Sequence, residues 1–127
     1  MNRQLTVILS VLGVVMLLAM AALHASGFGY ISSTLGESDI PDFLKQILPP
    51  LFLYPSALLV LLSSAVLVSL KLRTGQAAVL GVVTSVAAAN AIFGFVLGGP
   101  IPGVVLALAA IVFGAAAWQA GKQEIDG

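Results

Sequence analysis

Four stretches of about 18–21 residues without Asp, Glu, Lys or Arg decide what this chain can fold into. They cover residues 5–25, 51–70, 77–97 and 103–120. A helix of about 19 residues, at about 1.5 Å each, is roughly 28 Å long, which is close to the hydrocarbon thickness of a bilayer. The chain is 60% hydrophobic and 8% charged, so it lacks the charged surface that keeps a soluble domain dispersed. Its mean hydropathy is +1.14. The expected fold is therefore all-α: one membrane domain over residues 1–127, built as a four-helix transmembrane bundle.

Zero net charge and five scattered basic residues exclude the dense positive face that nucleic acid requires. The absence of cysteine excludes disulfides, thiolate metal sites and a cysteine nucleophile. No cofactor motif is present: Gly98-Gly99 precedes a proline and lacks the βαβ setting of a phosphate-binding loop. Transporters driven by protons generally carry a charged group at membrane depth, and the four stretches hold no Asp, Glu, Lys or Arg.

The connections divide the chain into two hydrophobic hairpins. Residues 26–50 form the expected outer loop, 71–76 a short basic cytoplasmic loop and 98–102 a tight outer turn. Within the outer loop, Ser32-Ser33-Thr34 and Gly36 break periodicity. Asp39 is expected to cap a short interfacial helix with Asp42 in its first turn, and Phe43, Leu44, Ile47 and Leu48 share one face. Pro49-Pro50 is expected to end that helix, and Pro55 falls in the first turn of the second span. A rival reading takes residues 1–21 as a signal peptide cleaved near Ala19-Met20-Ala21, but the apolar run exceeds a usual h-region.

Arg3, Lys71, Arg73 and Lys122 fall at one end of the bundle and Lys45 alone at the other. The positive-inside rule then places both termini in the cytoplasm, with the inner (plasma) membrane as the expected location.

Small residues mark the expected packing faces. Gly103, Ala107, Ala110, Gly114, Ala117 and Gly121 recur at alternating four and three residues along the fourth span. The third span offers Gly81 and Ser85 on a narrow face with Ala77, Ala78, Thr84 and Ala88. In lipid, helices associate through close backbone approach at such positions, so these two spans should pair most tightly.

Two polar residues stand out. Asn90 lies past the middle of the third span, where an amide must find a partner; a cross-helix bond to Ser63 or to a carbonyl is expected, the alternative being the wall of a ligand pathway. His24, on the same side as Glu37, Asp39 and Asp42, is a weak candidate metal ligand without a helical i+3 or i+4 partner. Ser56, Ser63 and Ser64 are expected to bond their own carbonyls four residues back.

The first span lacks the embedded glutamate of small multidrug transporters. The run Asn90-Ala91-Ile92-Phe93-Gly94-Phe95 resembles the Asn, Gly and Phe elements of fluoride channels over six residues, while their glycine-rich start with an arginine and their Thr/Ser/Phe filter are missing. The sequence assigns the chain to no family. The leading expectation is a non-enzymatic membrane component acting through helix–helix association, with the bilayer, a second copy or another membrane protein as partner. The alternatives are an oligomeric channel or transporter, and a lipid- or quinone-binding protein or enzyme using His24 and the outer loop.

Overall fold

A computed structural model describes residues 2–72 and 74–126, so Arg73 lies outside the described residues. The order is α1 Asn2–Ser26, α2 Phe28–Gly36, α3 Asp42–Ser69, α4 Gln76–Phe93, a π-helical segment Gly94–Gly98 and α5 Pro100–Asp126. The fold is all-helical among the described residues, and it contains four helices long and apolar enough to cross a membrane.

The long helices run alternately up and down. Contact is broad between α4 and α5, between α1 and α5, and between α1 and α3, whereas α3 and α4 meet only along a thin edge. The axis is filled by Leu17, Val66, Leu80 and Phe113, all essentially inaccessible. Large aliphatic side chains, among them Ile8, Leu61, Val82 and Ile111, point outward along the length of the bundle.

Helices α1 and α5 approach closely at Gly13. A Cβ placed on Gly13 would stand 2.5 Å from the Phe113 ring, so this glycine leaves room for a fully buried aromatic. Small polar residues serve the same end on α3, where Ser56, Ser63 and Ser69 alternate with Leu59 and Val66 on the buried face.

Several expected boundaries move. Residues 28–36 are helical, so the segment after the first span is not irregular; only Gly27 separates α2 from α1. The expected short helix at 42–48 is the beginning of α3 itself, which continues through Pro49, Pro50 and Pro55. Proline matches helical φ; what it lacks is the N–H, so the carbonyls of Lys45, Gln46 and Leu51 lose their ladder donors without the turn unwinding. Asp39 does not cap this helix: the N-cap position is Pro41, with extended backbone (φ −54°, ψ 141°) and no side-chain cap.

Helix α5 also differs at both ends. Pro100 opens it, as suits a residue whose missing N–H would have had no helical partner there. The turn before it reduces to Gly99, whose φ of 88° favours glycine. Helix α5 continues past the fourth apolar stretch to Asp126. Glu124 Oε1 accepts from the Ala77 N–H at 3.2 Å, a donor left free at the start of α4, and Gln123 Nε2 donates to Thr6 Oγ1 at 2.9 Å. The tail therefore ties the α1 and α4 ends to α5.

Candidate functional site: an apolar cavity with two polar groups

All four long helices meet around a cavity of about 550 Å³ at the end of the bundle nearest α2. Helix α1 contributes Met20 and His24, α3 contributes Phe52 and Leu59, and α4 contributes Asn90 and Phe93. The π-helical segment adds Gly94, Leu97 and Gly98, and α5 adds Pro102 and Leu106. Hydrocarbon dominates the wall, and no Asp, Glu, Lys or Arg lines it.

His24 sits where α1 crosses α3. Its ring stacks on Phe52 with centroids 4.3 Å apart and planes 20° from parallel, and Nε2 donates to the Phe52 carbonyl at 2.8 Å. That geometry fixes the neutral ring as the Nε2–H tautomer, with Nδ1 as its acceptor. Gly27, one turn on, lets the same aromatic approach: a Cβ there would lie 3.2 Å from Phe52 Cζ.

This bond explains a departure at Ser56. Ser63 and Ser64 do bond the carbonyls four residues back, at 2.8 and 2.9 Å. Ser56 Oγ is buried without a partner. The Phe52 carbonyl has two lone pairs, and the helical ladder and His24 use both.

Among the described residues no group of three or more His, Asp or Glu is placed to hold an ion, at His24 or elsewhere. Asn90 meets a backbone carbonyl, one of its two expected partners, but not across helices. Its Nδ2 donates within its own helix, to the Val86 carbonyl at 2.9 Å, while Ser63 bonds Leu59. One amide N–H and Oδ1 stay uncommitted on the cavity wall.

The chain matches no known protein family, no characterised protein and no solved structure. Its site must therefore be read from its own residues.

The packing residues chosen from sequence divide into two groups. On α5, Gly103 and Ala110 are buried, while Ala107, Gly114, Ala117 and Gly121 are half-buried. Gly114 faces Thr84 and Gly121 faces Ala77, so this row looks toward α4. The deepest row lies one position over, at Leu106, Ala109, Phe113, Ala116 and Ala120. On α4 the expected face is displaced: Ser85 is exposed, and a Cβ on Gly81 would meet nothing within 4 Å. Leu80, Val83, Ala87 and Ala91 turn inward instead. Of the expected face only Thr84 and Ala77 meet the small α5 row, at Gly114 and Gly121, while Leu80 and Val83 fill the core beside it.

Gly94 and Gly103 mark a backbone crossing. A Cβ on Gly94 would lie 2.9 Å from the Gly103 nitrogen, which fixes the π-helical segment against the first turn of α5. Arg3, Lys71 and Lys122 are exposed at the end opposite the cavity. Phe52, Gly27, Gln123 and Glu124 carry contacts that the sequence did not single out. Of these, Gln123 and Glu124 gave a signal, as polar residues in register with α5.

Proposed function

We propose that the chain is a four-span integral membrane protein without a catalytic centre, working through what it binds within the bilayer. The observation that supports this is the perimeter. Large aliphatic side chains face outward along all four long helices, while charged residues cluster at the helix ends. Such a surface is stable against lipid and aggregates in water. The basic residues orient the bundle with both termini and residues 71–76 in the cytoplasm, so the cavity end faces outward from the plasma membrane. Association with a second copy or another membrane protein is the leading mode of action.

Two alternatives fare differently. A channel through one chain meets a filled axis at Leu17, Val66, Leu80 and Phe113, so a conduction path would have to run between copies. Lipid binding is favoured by the cavity, which gathers two polar groups in an otherwise apolar wall.

Membrane fractions washed at alkaline pH test the first statement: the chain stays in the pellet, and its release would remove the reading. Reporter fusions at Gly75 and after the last residue are expected to read cytoplasmic, and one at Gly36 external. Association is tested by size in mild detergent and by co-purification, where a bare monomer at every concentration would exclude it.

A further inference from the structure

The cavity's volume of about 550 Å³ falls within the range of about 300–1,000 Å³ typical of small-molecule sites. Its polar inventory is small and specific. Asn90 retains one N–H donor and the Oδ1 acceptor after bonding Val86, and His24 retains the Nδ1 acceptor after bonding Phe52. An ion placed there would lose hydration without meeting a counter-charge. Hydrocarbon alone would leave the second Asn90 N–H and Oδ1 unpaired in an apolar surrounding. With two acceptors and one donor on the wall, the complementary head group both donates and accepts, which is the property of a hydroxyl. Phe93 and Leu97 line the cavity and are 62% and 80% exposed, so they form its rim. That rim lies beside the thin α3–α4 edge, the side on which a bilayer molecule meets least protein.

We infer that this cavity binds one neutral, hydroxyl-bearing lipid, of acylglycerol or isoprenoid-alcohol chemistry. The head lies between Asn90 and His24, and the tail runs along Leu23, Leu59, Phe93 and Leu106. This site rests on the membrane reading and is independent of association between chains.

The test uses the full chain in phosphatidylcholine nanodiscs and a monoacylglycerol carrying a diazirine on its tail, with labelled positions mapped by peptide mass. Labelling concentrates on residues 20–27 and 93–102. Unlabelled monoacylglycerol and farnesol are the two competitors, and the stronger of them identifies the source of the hydroxyl head. A short-chain quinone, which cannot donate, and oleate at alkaline pH, which is anionic, compete at least about fivefold more weakly, as expected for one unmade hydrogen bond. Asn90→Leu, which keeps the branching of the side chain and removes the amide, weakens labelling about fivefold. Leu97→Trp narrows the mouth from an exposed position and weakens it as well. Melting of both variants is measured alongside, and Leu97→Trp carries the test if Asn90→Leu does not fold.

Three results overturn the site: labelling spread evenly over outward residues such as Leu61 and Ile111, wild-type labelling in both variants, or equal competition by quinone or oleate. Alkaline extraction of the same preparation separates the two failures. A chain that resists extraction but labels evenly loses the site alone, whereas a released chain loses the membrane reading too.

Discussion

His24 shows how a single residue can be reassigned by its contacts. Its stack on Phe52 and its bond to the Phe52 carbonyl join α1 to α3, and they displace the Ser56 hydroxyl from its usual acceptor. His24→Ala is expected to cost about 1–2 kcal/mol, from one hydrogen bond and one ring contact. Ser56→Ala alone should be neutral or slightly stabilising, because it removes a buried unpaired hydroxyl. In the His24→Ala background the freed carbonyl can accept from Ser56, so the same change should then cost about 1 kcal/mol. Denaturation of the four proteins in one detergent closes this cycle, and strict additivity would rule out the shared acceptor. Two glycines give a second contrast. Gly13→Ala forces a methyl into the Phe113 ring and should cost about 1–3 kcal/mol. Gly114→Ala meets Thr84 Cγ2 at an ordinary 3.6 Å, so the gain in helix propensity of about 0.5 kcal/mol should survive. Melting temperatures of the pair decide it; equal shifts would place the close contact elsewhere.

At the scale of elements, α3 and the end of α5 depart most from what local signals suggest. Three prolines lie inside α3. Pro50→Ala returns an N–H to the Gln46 carbonyl in a segment already helical. A stabilisation of about 2 kcal/mol is expected, the helix-interior cost of about 3 reduced by the unfolded chain's regained freedom. An unchanged melt would mean that the helix ends at that pair. Glu124 stands at the positive end of the α4 dipole while belonging to α5. Glu124→Ala should lower stability by about 0.3–1 kcal/mol at low salt, and the difference should shrink as ionic strength rises. A salt-independent loss would assign the effect to packing rather than charge.

For the whole molecule, the bundle is a ring with three broad helix contacts and one thin one, and the cavity gathers residues from all four long helices beside the thin edge. The proposed orientation rests on very few charges. Lys71→Gln with Arg73→Gln leaves Arg3 and Lys122 opposed by Lys45, so reporters at Gly36 and Gly75 should then show mixed topology. A wild-type pattern would mean that the remaining charges or the packing of α1 dominate insertion.

Length, apolarity and the placement of charges were legible without coordinates, because a helix that must satisfy its own backbone needs only a sufficient run of apolar residues. The four long helices and the all-helical class follow from that local requirement. Which face of each helix turns inward did not follow. Gly81 and Ser85 on α4 looked like a packing face, yet Leu80 and Val83 are buried, because the positions of the neighbouring helices, which local composition does not set, decide which face of α4 is enclosed. The continuity of α3 through its prolines was equally hidden, since local preference argued for a break there and the packed helix tolerates the missing donors. The cavity is further still from the sequence. His24 and Asn90 are 66 positions apart on different helices, and only the crossing of α1, α3, α4 and α5 brings both to one wall.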